Sequence, residues 1–465
     1  MTERTDLLGI DLGTSSVKVL LRHADGTVEK ARATYRAETP EAWWEAVCEA
    51  LSMLPLDGVS AVGLSSQTGT YIVNGREVIG WREGAGREEL DALREQYGTE
   101  VFLREIAMPH PALQSYPIPR LAYIKKHFGD VQTVCQPKDL LVLHFTGRCV
   151  SDVYTWRGLA HPDTGRYSEF FLSALGIDSS VLPSLHSPTA VCGTVTEAAA
   201  EETGLPAGIP VVPGMNDFFA SIVGMGIVDG GAFDITGTSE HFGMVGDTLS
   251  EDTPLVSSPY LTGYVTYGVT AASGASLDFA RDALKPSESE SDAEIASYLQ
   301  RNPPIFLPYL SGERAPIFDP DARGVFFGIS RGCTEMDLRY AVCEGVAFSL
   351  YHIFEAMGGA LPTRVTVSGG ASRLTLLTRL KAELFGSSFV LLAENDTSAL
   401  GAAMAAGVGG GTFDSLKDAA GACCREAGEI LPVGDCRAAL LRRYEIYKTL
   451  YPSLRAQMRA FASDG

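Results

Sequence analysis

The sequence predicts an α/β protein made of two related lobes, and three observations carry this prediction. Short apolar strands alternate with apolar residues at helical spacing along most of the chain. Segment 8–21 places an acidic residue and Gly-Thr-Ser between two short strands, and segment 232–245 repeats this pattern about half a chain later. The 465 residues are enough for about two to four domains. Because only two copies occur, we expect two lobes, 1–230 and 231–465, rather than a solenoid.

The first lobe is predicted to alternate strands and helices around one long insertion. In chain order we expect two strands within 7–21 that form a meander, a helix over 40–54 and a buried strand at 61–64. The insertion covers 85–209. After it we expect a short strand and then a helix that begins at Asn216 and Asp217. The insertion is more polar and irregular than its surroundings. We therefore interpret it as the part that builds a substrate surface.

The second lobe has the clearest helix signals. Thr334 and Asp337 form a capping-box pattern that begins a helix, and Gly358 ends it. Further predicted elements are a strand at 364–368, helices at 374–385 and 398–408, a strand at 389–392, and one long helix or a helix pair over 438–461. The 398–408 helix is rich in Ala and Gly, which permits close approach to a neighbour or a ligand.

Composition and charge exclude several classes of protein. With 37 Lys and Arg against 57 Asp and Glu, the net charge of −20 disfavours nucleic acid and anionic membranes as partners. No apolar run is long enough to span a membrane. The nine cysteines are odd in number and include no CxxC pair, so the reduced cytoplasm is the expected location. The sequence leaves the oligomeric state open, with a homodimer as one alternative.

Glycine-containing turns follow three of the predicted strands. Glycine lets consecutive N–H groups point at one anion, and neighbouring hydroxyls add donors. No Gly-Lys dipeptide occurs, which excludes a Walker A loop, and the dinucleotide fingerprint is incomplete. ATP bound by another route is favoured, while purely structural turns remain the alternative for each corner. The three corners are Gly13, Thr14 and Ser15; Gly237, Thr238 and Ser239; and Gly369, Gly370 and Ala371.

These features together resemble the FGGY family of carbohydrate kinases over about residues 7–410. The resemblance is carried by 8–21, Asp217 and its helix, 237–239, 307–316, and 324–344 with 368–400. It implies an α/β fold of two actin-like ATPase (ribonuclease H-like) lobes around a central cleft. It also implies transfer of the γ-phosphate of MgATP to a hydroxyl of a sugar or polyol.

The resemblance also implies roles for individual residues. Asp217 is similar to the family's catalytic base, because a carboxylate within reach can accept the proton of the attacking hydroxyl. Asp11 resembles a residue that holds Mg²⁺, which prefers oxygen ligands and keeps several waters. Gly369, Gly370 and Ala371 resemble the adenosine-side loop, and Gly328 is expected near the nucleotide. The alternative role for Asp217 is a helix N-cap, and the base and the cap are compatible if Asn216 caps the helix. The alternative for Asp11 is a carboxylate that stabilises the turn.

The residues expected to contact the sugar depart from the family pattern. Gln67, followed by Thr68 and Gly69, stands where xylulose and glycerol kinases carry other motifs, and the common Trp-x-Asp-x-Arg is replaced around Trp81 and Glu83. Trp81 could stack on a sugar or serve as a core residue. The acceptor is therefore left open among a ketose such as xylulose, a polyol and a sugar acid. Arg157 and His241 are unusual near these motifs, although structural roles are the more common interpretation.

Two other function classes share the nucleotide motifs. One is a sensor that binds sugar and ATP without transferring phosphate, which an intact Asp11 and Asp217 disfavour. The other is a nucleotide-driven binding protein of the actin or Hsp70 type, which would need a further peptide-binding domain after the ATPase, and the chain ends too early for one.

Overall fold

The computed structural model describes residues 5–251, 253–283 and 293–463, in which strands and helices alternate. Up to residue 224 the elements are β1 (Asp6–Leu12), β2 (Ser16–Arg22), β3 (Val28–Thr34), α1 (Pro40–Leu51), β4 (Val59–Ser66), β5 (Tyr71–Val73), β6 (Glu77–Ile79), α2 (Arg87–Gln96), α3 (Thr99–Ile106), α4 (Pro117–His127), β7 (Val134–Cys135), α5 (Pro137–Thr146), β8 (Val150–Asp152), β9 (Ala160–His161), β10 (Arg166–Tyr167), α6 (Glu169–Leu175), β11 (Ser184–His186), β12 (Gly193–Thr194), α7 (Glu197–Thr203), β13 (Pro210–Asn216) and α8 (Asp217–Gly224). Beyond it they are β14 (Gly231–Thr236), β15 (Glu240–Gly246), β16 (Val256–Tyr260), β17 (Gly263–Val269), α9 (Ser273–Ala283), α10 (Ala293–Arg301), β18 (Ile305–Leu307), β19 (Val325–Phe327), α11 (Glu335–Met357), β20 (Arg364–Gly369), α12 (Thr375–Phe385), β21 (Ser388–Leu392), α13 (Thr397–Gly409), α14 (Leu416–Cys423), β22 (Glu426–Ile430) and α15 (Arg437–Ser463).

The chain divides into two compact units, each of which is discontinuous in sequence. Unit 1 comprises the described residues of 1–228, 258–262 and 396–424, and unit 2 comprises those of 229–257, 263–395 and 425–465. The predicted domain division into 1–230 and 231–465 stays a prediction. The two units depart from it chiefly in the segment 396–424, which belongs to unit 1.

The central sheet of unit 1 has the strand order β12-β13-β4-β1-β2-β3. Strand β1 pairs antiparallel with β2 and parallel with β4, and β2 pairs antiparallel with β3, which confirms the predicted meander. Nearly every residue of β1 and β4 is buried, which explains why both strands read as continuous apolar runs.

The central sheet of unit 2 repeats this arrangement. Six consecutive strands of this sheet follow the order β17-β15-β14-β20-β21-β22, so that β14 pairs antiparallel with β15 and parallel with β20. The hairpin β14-β15 therefore corresponds to the hairpin β1-β2, and each carries one Gly-Thr-Ser corner at its turn. The internal repetition seen in the sequence is thus a repetition of topology.

Helix α13 packs against β1 and α8 at positions where only glycine fits. A Cβ atom on Gly9 would lie 1.9 Å from the carbonyl oxygen of Ala399, and one on Gly401 would lie 2.0 Å from that of Ala220. Every residue of α13 from Thr397 to Gly407 is buried. The Ala and Gly content of this helix therefore serves close backbone packing.

Two predictions about helix ends are resolved by the structure. Thr334 and Asp337 form the reciprocal capping box of α11, and Gly358 ends the helix with a φ of +67°. The C-terminal segment is one helix, α15, with Pro452 inside it, rather than a helix pair. Among the described residues, no helix is both long and apolar enough to cross a bilayer.

Candidate active site

Asp11 lies at the end of β1 and is held there by two serine hydroxyls. Ser65 donates to its Oδ1 at 2.9 Å and Ser398 donates to its Oδ2 at 2.5 Å. Ser65 is the parallel-strand partner of Asp11 in β4, and Ser398 is in the first turn of α13. Burial raises the pKa of Asp11, and the two hydrogen bonds and the charge of Lys18 oppose that rise. Sequence reasoning missed both serines, because neither belongs to a local motif.

The first corner follows Asp11 in the turn between β1 and β2. The N–H of Gly13 donates to the carbonyl of Ser16 at 3.0 Å, and the hydroxyl of Tyr35 donates to the carbonyl of Gly13. Thr14 is half-buried and Ser15 is exposed, so both are open to a ligand. The backbone of the corner is therefore fixed by these hydrogen bonds, while the side chains of Thr14 and Ser15 remain accessible.

Asp217 is the first residue of α8, and Asn216 takes the capping role. The Asn216 side chain accepts from the N–H of Phe219 at 3.1 Å, while Asp217 Oδ1 accepts from the N–H of Phe218 at 2.8 Å. Burial, reinforced by the negative charge of Asp11, raises the pKa of Asp217 to about 7. A carboxyl group with a pKa near neutrality is suited to exchange protons at physiological pH.

Arg157 is the cation that opposes the rise of the Asp217 pKa. Its guanidinium carbon lies 4.8 Å from the ring centre of Phe219 and 5.7 Å from that of Phe218, and its positive charge lowers the pKa of Asp217. The turn that carries it is tied to α8, because Asn216 Nδ2 donates to the Tyr154 carbonyl at 2.8 Å. The structure thus brings Arg157, which the sequence marked only as unusual, to the beginning of α8.

Besides Asp217, three residues are predicted to contact the acceptor, and they have different surroundings. The N–H of Gln67 donates to the Leu12 carbonyl at 2.8 Å, which places Gln67 beside the end of β1. Its side chain is 2% exposed, and within the described chain neither Oε1 nor Nε2 has a hydrogen-bond partner. Trp81 is half-buried, with the Arg82 guanidinium 5.0 Å from its ring centre. Glu83 is exposed and accepts from the N–H of Gly80 at 2.7 Å, a contact that stabilises the local turn.

In unit 2 the second corner and the predicted adenosine loop are neighbours. Thr236 and Gly369 are partners at the ends of the parallel strands β14 and β20. Thr236 Oγ1 donates to the Ser368 carbonyl at 2.9 Å and accepts from the N–H of Ser372 at 3.1 Å. Gly369 has a φ of +92°, and a Cβ there would lie 1.9 Å from the Thr236 carbonyl oxygen. The loop at Gly369, Gly370 and Ala371 is therefore fixed directly beside the corner.

The carbonyls of the second corner are engaged by the start of α9. Gly274 N–H donates to the Gly237 carbonyl at 3.1 Å, and Ala275 N–H donates to the Thr238 carbonyl at 3.3 Å. Thr238 is exposed and the next residue, Ser239, is half-buried. Gly328, expected near the nucleotide, is exposed just after β19 with a φ of +84°.

Comparison with known proteins identifies the family. Residues 7–224 match the N-terminal domain, and residues 233–410 the C-terminal domain, of the FGGY family of carbohydrate kinases. The xylulose kinase of Escherichia coli (strain K12) is 30% identical, across 96% of this chain and 99% of that protein. The xylulose kinase of Bacillus subtilis (strain 168) is 26% identical, across 96% of each chain.

Solved structures with the same fold include further sugar kinases. Xylulose kinase from Rhodospirillum rubrum superposes with a TM-score of 0.82 at 25% identity, across 98% of this chain and 100% of that one. Gluconate kinase from Lactobacillus acidophilus superposes with a TM-score of 0.85 at 22% identity, across 98% and 99%. These neighbours confirm the two-lobed actin-like ATPase fold. The chain therefore belongs to the FGGY family of carbohydrate kinases and is an ATP-dependent sugar kinase.

Proposed function

We propose that this kinase transfers the γ-phosphate of MgATP to a hydroxyl of a ketose such as xylulose. The relatives that match nearly the whole chain carry the name xylulose kinase. The observation that carries the proposal is the Gln67 side chain, a buried amide without a hydrogen-bond partner among the described residues. A buried amide left unpaired is unfavourable. A sugar hydroxyl both donates and accepts, so it matches the Gln67 amide, and we assign Gln67, Trp81 and Glu83 to the acceptor side.

Asp217 is proposed as the catalytic base. It begins α8 and is relieved of the capping role by Asn216, so its carboxylate is available to a ligand. The acceptor hydroxyl would donate its proton to an Asp217 carboxylate oxygen as its own oxygen attacks phosphorus. Arg157 favours the ionised form of Asp217, which is the form that accepts a proton.

The nucleotide is proposed to bind at the glycine corners, and Mg²⁺ at Asp11. Within the described chain, no cluster of three or more His, Cys, Asp or Glu side chains forms a ready-made metal site. A single buried carboxylate fits Mg²⁺, which is usually held by one or two carboxylates, water and phosphate oxygens. When bound, the ion would neutralise charge on the phosphates. The phosphate-binding residues are Gly13, Thr14, Ser15, Gly237, Thr238 and Ser239, and those near adenosine are Gly328, Gly369, Gly370 and Ala371.

The remaining expectations concern the setting of the enzyme. We propose a cytoplasmic location, which is supported by the nine cysteines, all of them free thiols. The homodimer stays a prediction, as does the absence of nucleic-acid and membrane partners. Membership of a kinase family favours catalysis over the sensor and the Hsp70-type alternatives.

A substrate screen with two variants tests the proposal. ATP consumption is measured with xylulose, other ketopentoses, heptuloses, polyols and aldonates, for the wild type, Asp217→Asn and, as a surface control, Asp178→Asn. We expect xylulose to be phosphorylated and Asp217→Asn to lose about 10²- to 10⁴-fold in turnover while still binding a MgATP analogue. Phosphorylation of aldonates or polyols alone would reject a ketose as the acceptor. Near-normal turnover by Asp217→Asn would reject the base.

A further inference from the structure

Unit 2 contains a buried group of three charges that the proposed mechanism does not use. Lys381 on α12 is 1% exposed, and its Nζ lies 2.7 Å from Asp234 Oδ2 and 2.5 Å from Glu240 Oε1. Both carboxylates are fully buried. Removing three charges from water is unfavourable unless their pairing compensates, so the group is expected to hold a specific geometry.

The three charges join the elements on either side of the second phosphate corner. Asp234 lies in β14, three residues before Gly237, and Glu240 is the first residue of β15, directly after Ser239. Lys381 thus ties the strand that enters the corner to the strand that leaves it. The tie comes from α12, which begins shortly after the adenosine-side loop.

The same carboxylate also connects the corner to α9. Glu240 Oε2 accepts from the Ser273 hydroxyl at 2.7 Å, and Ser273 begins α9. The two residues after Ser273 are those whose N–H groups bind the corner carbonyls. A shift of Glu240 would therefore move both a strand of the hairpin and the helix start on which the corner rests.

We propose that Lys381 is a positioning residue for phosphate transfer, which holds the corner 237–239 in the geometry that binds the nucleotide. Lys381 is buried and contacts the strands on both sides of the corner, so it would act on the nucleotide through the corner. The inference rests on the proposed nucleotide role of this corner and adds the residue on which that role depends. Partners that orient metal ligands typically change affinity or activity by about 10- to 100-fold when replaced, and we expect an effect of the same order for a residue that orients a phosphate-binding corner.

The test compares Lys381→Met with a matched variant elsewhere in unit 2. Arg443 forms a similar buried pair, with its Nε 2.7 Å from Glu344 Oε1 and its Nη2 2.7 Å from Oε2, but on α15 and α11, elements that do not flank the corner. Calorimetry measures the Kd for a MgATP analogue, and kinetics measure the KM for ATP and for the sugar. We expect Lys381→Met to raise the analogue Kd and the ATP KM by about tenfold or more, with the sugar KM unchanged. We expect Arg443→Met to lower the melting temperature without changing the analogue Kd.

A second variant keeps the test decisive if Lys381→Met does not fold. Asp234→Leu releases β14 from Lys381 while leaving the Lys381–Glu240 pair intact, and we expect it also to raise the analogue Kd. Unchanged nucleotide affinity in folded Lys381→Met or Asp234→Leu, or an equal loss in Arg443→Met, would overturn the inference. A wild-type chain that binds no MgATP analogue would instead overturn the proposed nucleotide site.

Discussion

The pH dependence of kcat/KM follows directly from the environment of Asp217. A general base must be ionised, and burial together with Asp11 raises the pKa of this carboxyl to about 7. The ionised fraction is then about one half at pH 7, about one tenth at pH 6 and about nine tenths at pH 8. We expect kcat/KM to fall about fivefold between pH 7 and pH 6, to fall about tenfold for each further unit below pH 6, and to level off above pH 8.

Substitution of Arg157 tests whether the fall of kcat/KM at low pH, the acid limb of the profile, is due to Asp217. Removing its charge in Arg157→Met removes a cause that lowers the Asp217 pKa, so the limb should move to higher pH. Arg157→Lys keeps the positive charge and should keep the limb near its wild-type position. The profile is measured between pH 5.5 and pH 9, about the interval over which this pKa titrates, with saturation by MgATP checked at each point.

Two outcomes would refute the reasoning. A rate that is flat between about pH 6 and 8 would show that no group with a pKa near 7 controls the reaction. A limb that stays in place in Arg157→Met, in an enzyme that still turns over, would show that the titrating group is not the one facing Arg157.

Two further predictions concern packing and acceptor binding. Gly63→Ala places a Cβ 1.9 Å from the Ala402 carbonyl oxygen, so we expect thermal unfolding to show a destabilisation of about 1–3 kcal/mol. The control Gly129→Ala, with open space around the new Cβ, should have little effect. Equal stabilities of the two variants would contradict the close packing at Gly63. Gln67→Leu should raise the sugar KM by about tenfold and leave the ATP KM unchanged, because it removes a buried hydrogen-bonding group. The control Gln132→Leu, at an exposed position, should change neither KM. An unchanged sugar KM in Gln67→Leu would contradict the assignment of Gln67 to the acceptor side.

The sequence predicted local structure well, because local structure depends on neighbouring residues. The capping box at Thr334 and the repeated Gly-Thr-Ser corners are encoded within a few positions. The contacts that shape the site join distant parts of the chain: Ser398 reaches Asp11 across 387 positions, and Lys381 reaches Asp234 across 147. A serine or lysine within a helix carries no local signal of such a partner. These contacts become visible only once the topology brings the elements together.

The position of α13 late in the chain has a consequence for synthesis. The ribosome produces β1 and β4 early, but the helix that covers Gly9 of β1 comes only with residues 397–409. Until then the glycine-lined face of these strands is bare, and Asp11 lacks the hydroxyl of Ser398. A nascent chain or truncated product that stops before α13 therefore has an unfinished first unit and an exposed apolar surface, the kind of surface that chaperones bind. Maturation of the N-terminal corner must wait until residues 397–409 have been made.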